Sequence, residues 1–324
     1  MFKGVLTTLL FVGISVFVFT SLKDYEDFYL SQFVPESSTI TLATAKKDPL
    51  YKKIEAYAKE HDVAPENARI DRVWKAIPGY NGLRVNVDAS YKKMRSKGVF
   101  RPDLVVYEEV APKVHLKDLP PAPIYRGNPK KNMVALLINV AWGDEYLPQM
   151  LKTLDKYQVK ATFFLDGSWT KKHPDLAMMI IEEGHEIGNH AYNHPDLARK
   201  SAKETRDQLY KTNQVIKATL GVVPKWFAPP SGSYTQTTVE VADSLNMSTI
   251  LWTVDTIDWK HPEPYEMVRR VVSQIGPGSM ILMHPTDSAA EGLSRLILDI
   301  KNRGYQLGTV SELLSEKRVF GNDF

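Results

Sequence analysis

From residue 132 onward, short apolar runs alternate with amphipathic stretches, and that alternation sets the expected architecture. Apolar runs at 134–140, 161–165 and 280–283 have the length and β-branched content of buried strands. Shorter strands are predicted at 186–189, 225–227, 249–253 and 305–307. Between them, helical periodicity predicts helices over 145–157, 175–183, 201–220, 236–245, 264–275 and 293–303. Strands that alternate with helices pair in parallel, as an open sheet or a barrel. In a barrel the chemistry gathers at the carboxyl ends of the strands.

The amino-terminal part reads differently. Residues 4–22 are uncharged and rich in Leu, Val and Phe, flanked by Lys3 and by Lys23 and Asp24. That length just suffices for a membrane-spanning helix. Segment 1–22 is therefore expected to be a membrane anchor or a signal peptide, and the absence of an Ala-x-Ala-like site favours the anchor. With one early positive charge, the remainder is expected outside the cytoplasm, membrane-anchored at its amino terminus or secreted.

Residues 29–119 read as a small α/β module. Helices are expected over 50–59 and 68–77, the latter because Ile70, Val73, Trp74 and Ile77 share one helical face. A Pro-Gly-Tyr-Asn-Gly turn at 78–82 precedes a strand at 83–87, Asp88-Ala89-Ser90 caps a short helix to Met94, and 104–110 forms another strand. Residues 120–131 open with Pro120-Pro121-Ala122-Pro123 and read as an extended linker.

Composition narrows the chemistry. The 324 residues contain no cysteine, which excludes disulfides, thiolate metal sites and cysteine nucleophiles. A net charge of +3 divides into +6 up to Lys131 (21 basic, 15 acidic) and −3 beyond it (20 and 23). This is a lysine-rich solvated exterior, with a secondary attraction to anionic envelope surfaces. No basic run is interleaved with aromatics, so nucleic acid is not an expected partner.

The most informative chemistry is His190 and His194, four apart within Gly-His-Glu-Ile-Gly-Asn-His-Ala-Tyr-Asn-His from Gly184. Two imidazoles at this spacing can face one metal ion. Taken alone, such a pair is more often polar surface. Four further runs surround it: Leu137-Ile138-Asn139-Val140-Ala141, Trp226-Phe227-Ala228-Pro229-Pro230-Ser231-Gly232-Ser233-Tyr234, Asp255-Thr256-Ile257-Asp258-Trp259 and Leu282-Met283-His284. With Lys160-Ala161-Thr162-Phe163-Phe164-Leu165, these five ordered motifs resemble the polysaccharide deacetylases of carbohydrate esterase family 4 over residues 132–319.

The resemblance implies a distorted (β/α) barrel and removal of acetyl groups from glycans, with zinc or another divalent ion held by one Asp and two His beside an Asp base. His190 and His194 match the two histidine ligands. Asn139 stands where the family has its base, and Val140 where it has the Asp ligand. An amide does not take a proton from water at neutral pH, and an isopropyl group does not bind a cation. Ala228 takes the place of the arginine that tethers the family's catalytic carboxylate. By the same resemblance, Asp258 orients the general acid His284, and Trp259, Leu282, Pro230, Ser231 and Tyr234 line the substrate groove.

Two readings follow. One is an envelope protein with a degenerate site, weak or no deacetylase activity, no cofactor, and a glycan such as peptidoglycan or an N-acetylglucosamine polymer as partner. The other is an active metal-dependent deacetylase of such glycans, in which Asp144 completes a three-ligand site or the metal is held in an unusual arrangement. His185 is expected to be packed rather than ligating. His173 and His261 have no partner at useful spacing. Ser231 and Ser233 lack the strand-turn-helix setting of a nucleophile elbow, so a serine esterase is disfavoured.

Overall fold

The computed structural model describes residues 45–319. The expected anchor at 1–22, and with it the membrane contact through residues 4–22, lies outside the described residues. Among the described residues no helix is long and apolar enough to cross a membrane. The described residues separate into two compact units, 45–60 with 86–106, and 61–85 with 107–319. Segments 61–85 and 107–119, expected within the small module, therefore pack with the larger unit.

The described part of the first unit is a pair of helices, α1 (Pro49–His61) and α2 (Val87–Met94). Leu50, Tyr51 and Ile54 of α1 are buried, as are Tyr91 and Met94 of α2. Tyr51 and Tyr91 meet edge to face at 5.5 Å, and their hydroxyls donate to Asp88 and Asp48, both at 2.7 Å. The cap of α2 is Asn86, whose side chain accepts from the Ala89 amide, rather than the expected Asp88-Ala89-Ser90.

In the second unit the helix expected over 68–77 is instead a hairpin of β1 (Arg69–Asp71) and β2 (Lys75–Ile77). Asp71 Oδ1 accepts from the Val73 and Trp74 amides at 2.8 Å, and Lys75 takes a positive φ of 56°. This side-chain-to-backbone turn competes with the helix. A second hairpin pairs β3 (Gly82–Val85) with β4 (Tyr107–Val110). The expected linker is not free: the Ile124 amide donates to Thr249 O, Ile124 O accepts from Leu251, and its side chain is buried.

The rest of this unit is one parallel sheet wrapped by helices. Its strands are β5 (Met133–Val140), β6 (Thr162–Leu165), β7 (Glu186–Asn189), β8 (Trp226–Phe227), β9 (Ser248–Thr249), β10 (Val254–Asp255), β11 (Met280–Met283) and β12 (Gln306–Gly308). Their order is β10-β11-β5-β6-β7-β8-β9, with β12 pairing the start of β5. β9 and β10 end this order without pairing to each other, so the sheet is a curled, open half-barrel rather than a closed one.

β5 is fully buried on both faces. Leu136, Ile138 and Val140 face a cluster shared with the helices, while Ala135 and Leu137 face a second cluster with Phe164, Ala228 and Ile250. That alternation is the two-residue period of a strand. The helices are α3 (Leu147–Lys156), α4 (Gly167–Lys172), α5 (Pro174–Glu182), α6 (Ala202–Leu220), α7 (Gln236–Ser244), α8 (Pro264–Gln274), α9 (Asp287–Asn302) and α10 (Val310–Leu314). α6 carries the capping box Ser201/Glu204 and ends on Gly221 at φ 73°. Those local signals made its limits legible.

Candidate functional site

Because the sheet strands run parallel, their carboxyl ends open at one rim. There Asn139, Trp142, His194, Ser231, Trp252, Asp255, Trp259, Leu282 and His284 enclose a cleft of about 410 Å³. β5 sends Asn139 into its floor. The residue is 3% exposed, and its side-chain Oδ1 is buried without a donor. Val140, next along the strand, turns the other way and is wholly buried in the apolar helix-facing cluster. It does not line the cleft.

The turn after β7 carries both metal-type histidines. Asn189 Nδ2 donates to Leu209 O and Asn213 Oδ1, and its Oδ1 accepts from the Ala191 amide, all at 2.8 Å. This fixes a backbone in which Ala191 and His194 both adopt positive φ, 59° and 52°. Asp166 holds the turn from β6. One of its oxygens caps α4 through the Ser168 and Trp169 amides, and the other accepts from the His194 amide at 2.9 Å.

His190 Nδ1 lies 2.8 Å from Ala228 O. A carbonyl only accepts, so Nδ1 carries the proton and Nε2 keeps its lone pair. Burial, then His194 beside it, pushes the His190 imidazole down to about 3; burial also lowers His194. Both are neutral at physiological pH. Their rings meet at 5.2 Å in an edge-on arrangement.

Across the cleft, the fully buried Asp258 accepts from His284 twice, from the amide at 2.6 Å and from Nδ1 at 2.8 Å. This leaves Nε2 as the free nitrogen of His284. The Trp142 indole stacks on the same imidazole with centroids 5.4 Å apart and planes inclined by 15°. Trp142 is carried by a turn that only glycine permits: Gly143 has φ 82°, and a Cβ there would stand 1.9 Å from Pro285 O.

Of the groove residues expected from the sequence, Trp259, Leu282 and Ser231 line the cleft. Pro230 is buried, and Tyr234 bonds its hydroxyl to that of Tyr125 at 2.8 Å. Three lining residues escaped the sequence reading, Trp142, Trp252 and Asp255. Trp142 lies two residues past a predicted strand, Trp252 near the end of one and Asp255 in a motif already quoted, so a search of strand ends for aromatic and acidic side chains would have found them.

A divalent ion does not fit the donors present. Among the described residues no three His, Asp or Glu side chains converge as a metal-binding group. Asp144, the expected substitute ligand, is held elsewhere: Trp169 Nε1 donates to it at 2.5 Å, and His173 Nε2 lies 3.2 Å away. His173 thus has a partner after all, as does His261, whose Nδ1 is 2.7 Å from Asp287. Ala228 is 1% exposed in an apolar cluster, so its position has neither room nor a partner for a guanidinium.

The sequence signature of polysaccharide deacetylase matches residues 126–250. The chain is 52% identical over 316 residues to the uncharacterized protein YlxY of Bacillus subtilis, covering 95% of this chain and 98% of that one. It is 33% identical over 199 residues to a peptidoglycan-N-acetylglucosamine deacetylase of Bacillus cereus, 60% of this chain and 72% of that one. Among solved structures it is similar to BA3943 of Bacillus anthracis, a family-4 carbohydrate esterase pseudoenzyme. The two share 52% identity and a TM-score of 0.79 over 83% of this chain and 96% of that one. A mutant of BA3943 with restored enzymatic activity superposes equally well, with a TM-score of 0.79 at 51% identity.

Proposed function

Since the chain belongs to the polysaccharide deacetylase family, we propose that it is a catalytically degenerate member that binds cell-wall glycan at the envelope. The observation that carries this reading is the floor of the cleft. Asn139 and Val140 occupy the two carboxylate positions, and Val140 is sealed in an apolar cluster. Asn139 leaves the family's base position without a carboxylate, a loss worth roughly 10²–10⁴ in rate by itself.

The remaining parts suit holding a sugar. Trp142 and Trp259, 42% and 50% exposed, offer broad apolar faces beside the polar edges of Ser231 and Asp255. Flat aromatic faces with a few placed polar groups are the usual composition of a small-molecule site. Asp258 and His284 persist as a buried, oriented pair whose role here is to shape the wall. An extracytoplasmic location follows from the glycan partner and from the apolar segment 4–22. The relatives' peptidoglycan substrate supplies the partner class.

The test is acetate release from peptidoglycan and chitin oligomers, with metal content measured on the same purified chain. Acetate below detection, no stoichiometric divalent ion, and saturable glycan binding are the expected results. A bound ion with steady acetate release would overturn the reading in favour of an active deacetylase.

A further inference from the structure

The charge left in the cleft departs from what a metal-dependent site would carry. Among the described residues no lysine or arginine lines it, and Asp258 is tied to His284. The Asp255 side chain accepts one hydrogen bond, from the Ile257 amide at 2.8 Å. The nearest guanidinium, Arg270, spends its donors on the Asp255 and Thr256 carbonyls rather than the carboxylate. Burial accordingly raises the Asp255 pKa.

Two further observations point to a ligand that brings positive charge and N–H donors. Asn139, 3% exposed at the floor, has an amide oxygen with no donor. Trp142, Trp252 and Trp259 surround the opening, and indole faces attract cations. Trp259 already does so within the chain, holding Lys260 Nζ 4.9 Å from its ring centroid.

We propose that the cleft selects a cationic amino sugar, a de-N-acetylated hexosamine residue of a glycan, over its neutral N-acetylated form. The ammonium pairs with Asp255 and donates to Asn139, while the pyranose face lies on an indole. This rests on the glycan-binding reading and makes the chain a reader of the product that its active relatives release. A carboxylate in a partly desolvated cleft discriminates a cation from a neutral amide more strongly than it would in water.

Calorimetric titration of the full-length chain at pH 6 with tetraglucosamine and with tetra-N-acetylchitotetraose tests it. Tetraglucosamine is expected to bind at least ten-fold tighter. Asp255→Asn, which keeps the acceptor for the Ile257 amide, should remove that preference, and Asp255→Glu should retain part of it. Equal or tighter binding of the acetylated oligomer overturns the selectivity and leaves glycan binding standing. Binding of neither oligomer overturns both. A preference that survives Asp255→Asn in a folded variant overturns the role of Asp255.

Discussion

Replacing Val140 with aspartate separates a merely altered metal site from one that has been filled in. The isopropyl group is wholly buried in the apolar cluster that also holds Ile138, Leu165 and Trp169. Losing a buried valine's apolar contacts costs about 1.5–3 kcal/mol. Leaving an unpartnered polar group in its place costs a further ~1–3 kcal/mol, with the carboxyl kept protonated by burial. The sum, about 4 kcal/mol, corresponds to a fall in Tm of roughly 10 °C for a domain this size. A divalent ion that bound the new carboxylate with His190 and His194 would return about 2.7 kcal/mol at a hundred-fold excess over Kd. Thermal melts of wild type, Val140→Asp and Asn139→Asp/Val140→Asp, each with and without zinc, measure the combined cost and the zinc return. We expect wild type to be indifferent to zinc, the single variant to melt well below it, and the double variant to recover with zinc by turning its new carboxylate out of the apolar cluster toward His190 and His194. A wild-type Tm that rises with zinc as much as the double variant's would refute the argument, because a third donor would then already be present. An undiminished Tm for Val140→Asp without metal would refute the placement of residue 140 in the apolar cluster.

Other expectations follow from single contacts. His185 and His190 are buried, with imidazoles pushed down to about 4 and about 3. The unfolded chain, titrating near 6.5, therefore binds more protons than the folded one at acid pH. Stability is full above that value and falls by about 1.4 kcal/mol per pH unit for each histidine below it. Urea denaturation at pH 7 and pH 5 should differ by several kcal/mol, and equal values would remove the shifts. Gly143→Ala should lower Tm and weaken glycan binding together, because the Cβ meets Pro285 O and the displaced turn carries Trp142; unchanged affinity would free Trp142 from any role. Ala228→Arg should cost about 3–5 kcal/mol by urea denaturation, as an unpaired buried charge does. Adding Asn139→Asp should recover part of that cost, and strict additivity would mean the two positions do not face each other.

What the sequence disclosed and what it concealed divide by the distance over which the information acts. The alternation that places β5, β6 and β11, and the Ser201/Glu204 box and Gly221 that bound α6, are local and were legible. The hairpin at 69–77 was not. Its apolar residues fall at helical spacing, but Asp71 bonds two amides ahead and Lys75 accepts a left-handed backbone without a glycine to announce it. Asp144 was misread for a longer-range reason, since its captor Trp169 lies 25 positions away and Asp144 itself looks free in the sequence. The substitutions at Asn139, Val140 and Ala228 were legible as changes, but their consequence was not. Strand alternation sends 139 to the cleft and 140 to the helix layer, so one loss opens a polar vacancy while the other closes into core. The cleft is shaped by the chain's own hydrogen bonds. Its walls are set by Asp166, Asn189 and Asp258, carboxylate and amide groups that bond backbone amides at three strand ends. A site held by such scaffolding can lose its ligand set and still present a formed surface to a sugar, which is the physical condition for a binding role to outlast a catalytic one.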